Sequence, residues 1–512
     1  MTMATSCLFG KFGEGVLSVG RVQTPTLQLI VTRDRTIEAF KPKDYFELFA
    51  HFIDEAKAGA WLKWNIPELL QQDEKGRCLD KSAVNAIAKK ISGKPAKITK
   101  LTKSVKNQAA PLPFSLSELQ KKASSLYGYT ATKTLSVAQE LYEKHKAITY
   151  PRTDSGYLPL SQHSESKEVL DALLKIDSSL STLVKECNVA FKSTSWNDDK
   201  VTAHHGIIPT TNQNVSLTSM STEAFKIYDL IRTLYIAQFL GDFKYEQTNI
   251  VITCEGEAFS ATGRIPLNLG WNKIFDKDGS IDAIKGDDEV EQNFPNWSEG
   301  QVLCVEQEKI TDKKTKAPAQ FTEGTLISAM ESIGRYVEDA NLKKILRETS
   351  GIGTQATRAA IIETLIKREY ITRNKKKLIS TEKGRALIDL LPEIVKDPAT
   401  TARWEQDLDD MAAGNLNQEL FIANQNKNLS GMLEALKSSY SKQNPSSHNK
   451  KEAHSQHECP ACKKPMARRK PKSRNTYFWG CTGYPECTTT LPDINGKPGE
   501  RRVAANPIVQ HL

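Results

Sequence analysis

ITYPRTDS, Ile148 through Ser155, places a tyrosine hydroxyl two positions from a guanidinium on a backbone stiffened by proline. Pro151 fixes its own φ and pushes Tyr150 toward an extended conformation. In extended backbone, residues i and i+2 point the same way, so Tyr150 and Arg152 can address one phosphate. A phenol with a pKa of about 10 is a poor nucleophile at neutral pH unless its surroundings activate it. Tyr150 therefore gains meaning only from companion motifs.

Three further stretches stand out. SVGRVQTPT, Ser18 to Thr26, offers Arg21 and Gln23 beside Gly20, where the backbone can approach a sugar or phosphate closely. TAHHGIIPT, Thr202 to Thr210, carries adjacent histidines whose side chains diverge on regular backbone, so one site uses His204 more readily than both. GIGTQATRAAIIETLIKREYI, Gly351 to Ile371, reads as a glycine-rich entry, a threonine cap and a helix whose free N–H donors suit an anion.

The chain has 512 residues, and at roughly 100 to 200 residues per domain it is multidomain. Its 70 basic and 61 acidic side chains leave +9, a modest surplus whose local placement decides whether nucleic acid is bound. No apolar run approaches the roughly 20 residues that span a bilayer, and the start lacks a secretion signal, so the reading is cytoplasmic with no membrane partner. Five of the nine cysteines are scattered singly and read as plain thiols.

The other four form CPAC at 459–462 and CTGYPEC at 481–487, two close pairs on a short hairpin. That spacing predicts a tetrahedral Zn²⁺ site of four thiolates, Cys459, Cys462, Cys481 and Cys487, in a zinc ribbon. Lys463, Lys464, Arg468, Arg469, Lys470, Lys472 and Arg474 lie between the pairs with Tyr477, Phe478 and Trp479, a mixture suited to single-stranded nucleic acid.

Periodicity organises the rest. Tyr45 to Ile53 and Ala96 to Val105 alternate like half-buried strands, as do Thr248 to Thr262 and Gln301 to Gln307. Helical patterns occupy Leu116 to Leu126, Ala131 to Lys144 and Glu223 to Leu240, and a hairpin signal lies at Tyr370 to Ile379. Asp276 to Glu291 is an acidic loop, and Ser438 to Glu458 has the polar composition of a linker. Strand clusters that bracket a helical block suggest one β-containing domain interrupted by a helical insertion.

Together, the tyrosine, arginine, histidine and glycine-threonine motifs occur in the order of the type IA DNA topoisomerases, which the chain resembles over about residues 10 to 495. The topoisomerase III branch is the most similar. The resemblance implies a mixed α/β multidomain arch of helical and β domains around a DNA-sized hole, plus the zinc ribbon. It divides the chain into a helical groove domain (1–41 and 311–437), a β-rich arch (42–110 and 216–310), a helical tip with Tyr150 (111–215), a linker (438–457) and the ribbon (458–495). It implies Tyr150 as nucleophile, Arg152 and His204 at the scissile phosphate, and Arg21, Gln23, Thr354, Thr357 and Arg358 as DNA contacts.

Gln355 stands where the resemblance leads one to expect proline, a change expected to soften that helix start. The family's Mg²⁺-binding Toprim module, with its DxDxE cluster, is not found in the sequence. Asp287-Asp288-Glu289 lacks the alternation. The implied reaction is ATP-independent strand passage on single-stranded or negatively supercoiled DNA by a monomer. Turnover by this chain alone is expected to be impaired, with a separate Toprim-containing polypeptide as a possible partner; a non-catalytic single-stranded DNA-binding remnant is the alternative.

Overall fold

A computed structural model describes residues 1–9, 17–201, 203–274, 294–337, 340, 343–344, 346, 351–443, 457–470 and 476–500. The acidic stretch Asp276 to Glu291, with Asp287-Asp288-Glu289, lies outside them, as do Thr202, Lys472 and Arg474.

Six strands close into one antiparallel barrel: β1 (Asp44–Ile53), β2 (Gly59–Trp64), β3 (Pro95–Gln108), β4 (Phe243–Cys254), β5 (Glu257–Asn268) and β6 (Val302–Lys314), in the order β1-β2-β5-β4-β3-β6. Closure pairs β3 with β4 from Ala96↔Cys254 to Gln108↔Phe243, and β1 with β6 from Asp44↔Lys314 to Ile53↔Cys304. The interior is filled by Leu48, Phe52, Leu62, Ile98, Ile250, Ile252 and Phe259. Thr248 to Thr262, expected to be strand throughout, is a hairpin. Glu255 and Gly256 both take positive φ, 50° and 82°, as a two-residue hairpin turn requires. The Lys81–Ile91 helix was not anticipated; Asp80 caps it, and Val84, Ala88 and Ile91 bury one stripe.

Between β3 and β4 the chain builds a helical unit. The Leu116–Tyr127 helix starts at Ser115, whose hydroxyl accepts the Glu118 N–H, and ends at Gly128 with φ 67°. The Ala131–Glu143 helix follows, capped by Thr130, and the Thr222–Ala237 helix packs against it. Leu119, Ala138, Leu141, Ile148, Ile207, Ile231 and Tyr235 belong to their shared core.

A third core joins the Gln23–Glu38 helix to elements more than 280 residues away, among them the Glu323–Glu331 and Gln355–Lys367 helices and the hairpin β7 (Ile371–Asn374) and β8 (Lys377–Ser380). Leu27, Ile30, Leu326, Met330, Ile362 and Tyr370 fill it. The Gln418–Gln443 helix runs past residue 438, where composition places the start of a linker. No described helix is long and apolar enough to cross a membrane.

Gly156 shows how tightly the tyrosine-bearing loop is seated, because a Cβ there would lie 2.7 Å from the Pro113 carbonyl oxygen. Gly156→Ala is expected to destabilise the helical unit by about 1–3 kcal/mol through forced backbone movement. Gly431→Ala, where a Cβ meets nothing within 4 Å, is expected to be neutral or stabilising. Paired thermal melts of the two variants check this.

Candidate active site

Tyr150 leaves the core on a loop pinned from behind. Ile148 bridges Pro209, the Thr149 N–H donates to the Ile208 carbonyl (2.9 Å), and the Ile208 N–H donates to the Thr149 hydroxyl (3.0 Å). The Thr210 N–H donates to the Ala147 carbonyl at 3.1 Å. Ile148, Ile207 and Ile208 are buried, whereas Tyr150 is 40% exposed. The same pairing that hides the isoleucines thus pushes the phenol outward.

His204 comes with it. Its ring centroid lies 4.8 Å from that of Tyr150, at 47°, and Tyr142 meets the Tyr150 ring edge-on at 5.6 Å and 77°. Both contacts fall in the range of favourable aromatic packing and hold the phenol in one orientation. His205 is taken up structurally. With its Nδ1 donating to the Gly206 carbonyl (2.8 Å), its Nε2 accepts from the Gln162 amide (3.0 Å). That leaves His204, exposed at the surface, as the histidine that can meet a phosphate. Arg152 is exposed as well.

Beyond Arg152 the loop is anchored a second time. The Leu116 N–H donates to the Thr153 carbonyl (3.0 Å), and the Ser155 N–H donates to the Thr153 hydroxyl (3.1 Å). The Lys200 ammonium donates to the Tyr157 hydroxyl (3.3 Å) and sits over that ring. Tyr142 and Lys200 were not singled out from sequence, because nothing in their local text marks them.

The glycine motifs meet each other. A Cβ on Gly353 would lie 3.2 Å from Val22, so the starts of the Gln23–Glu38 and Gln355–Lys367 helices lie side by side. Arg21 is exposed there, and Gln23 donates to the Ser18 hydroxyl. Thr354 and Thr357 are exposed and close a capping box, the Thr354 N–H donating to the Thr357 hydroxyl at 3.0 Å.

Arg358 departs from its expected role as a DNA contact. It is fully buried, and its guanidinium donates to Glu331 (2.9 Å), the Ser117 hydroxyl (3.2 Å) and the Ile352 carbonyl (3.3 Å). One residue past Thr357, it is turned about 100° around the helix, which carries it into the core. Burial lowers its pKa from the usual arginine value, against the opposing charge of Glu331.

The four cysteines converge. Their sulfurs lie within 4.8 Å of one another, with Cys459–Cys487 at 3.7 Å and Cys462–Cys481 at 3.3 Å. A tetrahedron with Zn–S bonds of about 2.3 Å has edges of about 3.8 Å, so the set fits Zn²⁺. Burial opposes ionisation of Cys459, but the N–H groups of Cys462 and Ala461 outweigh it and bring the thiol down to about 6. Burial pushes Cys481 up to about 12. Among the described residues this is the only converging group of three or more metal-ligating side chains. Soft thiolates do not suit Mg²⁺, so this group is a site for Zn²⁺ and not for that ion. Beside the cysteines, Arg468 lies 4.2 Å over the Tyr477 ring and pairs with Asp493 at 2.7 Å.

A phenol exposed beside an imidazole, next to paired helix starts and followed by a four-thiolate module, also matches known proteins. The family described as DNA topoisomerase matches residues 1–423, and the one described as topoisomerase DNA binding C4 zinc finger matches 456–495. The chain belongs to the type IA DNA topoisomerase family. Its relatives include DNA topoisomerase 3 of Pasteurella multocida, 40% identical over 80% of this chain and 64% of the relative. DNA topoisomerase 3 of Vibrio cholerae is 40% identical over 85% of this chain and 67% of its own length. The chain thus spans about two-thirds of the length of these curated relatives. The solved full-length topoisomerase I of Thermotoga maritima superimposes with a TM-score of 0.60 over 95% of this chain and 72% of that one, at 23% identity, which supports the shared fold.

Chelation is expected to release one Zn²⁺ per chain and open the zinc ribbon to protease while the barrel strands β1–β6 stay resistant. Protons compete for the thiolates, so release should become easier as pH falls, and Cys459→Ser should contain no tightly bound zinc. Metal analysis with limited proteolysis reads both.

Proposed function

We propose that this chain cuts one DNA strand through Tyr150 and reseals it after another strand has passed, as a topoisomerase III-like enzyme. The exposed phenol packed on His204, on a loop held at both ends, is the observation that carries this reading. In the cutting step the Tyr150 oxygen forms a bond to phosphorus, the bond to the 3′ oxygen breaks, and the phenolic proton leaves as the 3′ oxygen gains one. The 5′ phosphate stays on tyrosine. Resealing reverses each change, so the ester conserves the bond energy and no ATP is consumed.

Arg152 and His204 would balance charge on the phosphate, and positive groups aimed at developing charge are commonly the largest contribution to such a step. Arg21, Gln23, Thr354 and Thr357 would line the path of the single strand, by backbone contacts that carry little sequence preference. The ribbon, with its zinc, adds cations and the Tyr477 ring for a further stretch of single strand. Arg358 serves by holding the Gln355–Lys367 helix in place. Relatives named DNA topoisomerase 3 support the branch. The family resemblance implies that repeated relaxation draws on Mg²⁺ held by a DxDxE cluster, a motif this sequence does not contain, and on that reading we propose that turnover by this chain alone is slow beside single-turnover cutting.

The test is adduct formation on a single-stranded oligonucleotide with protein in excess, stopped with detergent. Tyr150→Phe should abolish the adduct while DNA affinity stays within about twofold, and Arg152→Ala should lower its rate by roughly 10²–10³-fold. DNA binding with no adduct from the unaltered chain would instead favour a binding module.

A further inference from the structure

Gln355 occupies the first turn of the Gln355–Lys367 helix, and its amide is used twice, both times across a boundary. Its Oε1 accepts the N–H of Ser117 (3.0 Å), an otherwise open donor at the start of the Leu116–Tyr127 helix. Its Nε2 donates to the carbonyl of Asp154 (3.2 Å), four residues after Tyr150 and two after Arg152. One side chain therefore joins three segments: the helix that borders the proposed DNA path, the first helix of the tip, and the loop bearing the phenol.

Several of the loop's other anchors lie within the helical unit itself. Thr149 is held by Gly206 and Ile208, and Thr153 by Leu116. These fix Tyr150 relative to His204. They do not fix it relative to Thr354 and Thr357, which stand on the other side of the boundary. The bond from Gln355 to Asp154 spans that gap.

We propose that Gln355 is a positioning residue, tying the Tyr150–Asp154 loop to the start of the Gln355–Lys367 helix so that the phenol meets a phosphate held there. The proposal rests on Tyr150 being the nucleophile. Proline, the residue expected at this position, satisfies a helix start but can form neither side-chain bond. The tether is thus separable from the stability of the helix. Thr354 already has φ −76° and ψ 159°, the extended conformation that a following proline requires, so Gln355→Pro should leave the helix intact while removing both bonds.

Gln355→Ala and Gln355→Pro are compared with the unaltered chain by three measurements: single-turnover adduct rate at saturating oligonucleotide, affinity for the same oligonucleotide, and amide hydrogen exchange across residues 149–157. Both variants are expected to cut roughly tenfold more slowly or worse, since misplacement of about 1 Å is enough to cost that much, with affinity within about twofold. Exchange over 149–157 should quicken in both, while the barrel strands are unchanged. Gln355→Glu, which keeps the acceptor for Ser117 and loses the donor to Asp154 when ionised, should fall between. A proline variant equal to the unaltered chain in rate and in exchange would reduce Gln355 to an ordinary helix-start residue. If the unaltered chain forms no adduct, the assignment of Tyr150 fails on its own, and exchange still decides the tether: faster exchange in both variants upholds it, and unchanged exchange overturns it.

Discussion

The site depends on a short irregular pairing between residues 147–149 and 208–210. Neither segment is a regular strand, yet Ala147, Ile148 and Ile208 are buried and backbone bonds cross the gap, while the neighbouring buried Ile207 donates its N–H to the Phe114 carbonyl. Each buried isoleucine contributes about 1.5–3 kcal/mol, so the pairing is driven by apolar surface while its edge is left to polar chemistry. At that edge stand Tyr150 and His204, brought into ring contact from positions 54 residues apart. Gly156 and Gly206 permit the arrangement because Pro113 passes where their side chains would be.

A second constraint is the polar seam between the Leu116–Tyr127 and Ala131–Glu143 helices and the groove elements. Arg358 and Lys121 share Glu331, each at 2.9 Å, Lys121 also pairs with Glu118, and Glu323 accepts the Ala131 N–H at 2.7 Å. Burial works against the charge on Lys121, but Glu118 and Glu331 outweigh it and raise its pKa. Charges this buried add little net stability, and their partners make any misalignment expensive. The seam therefore fixes orientation more than it adds cohesion.

Much of this was legible in the sequence where chemistry demands particular residues at particular spacings. Two close cysteine pairs require a common metal, and their sulfurs do converge. ITYPRTDS and AHHGIIPT each combine an exposed reactive group with buried isoleucines, so each carries both its chemistry and its anchoring. Alternation revealed β1, β3, β6 and the stretch that holds β4 and β5, but neither the short β2 nor the turn at Glu255–Gly256, where glutamate is an unusual residue at positive φ. Arg358 misled because residue type does not tell which way a helix position faces; Thr354 and Thr357 face out and it faces in. Gln355 looked like a softened cap, since its two partners come from segments more than 200 residues away that only the fold brings near.

The most direct measurement digests a trapped protein–DNA complex and locates the modified peptide by mass spectrometry, using oligonucleotides labelled at either end. The account predicts DNA on the peptide containing Tyr150, joined through a 5′ phosphate, so that the 3′-terminal label travels with the protein. DNA on any other side chain, or a linkage through the 3′ end, would contradict it.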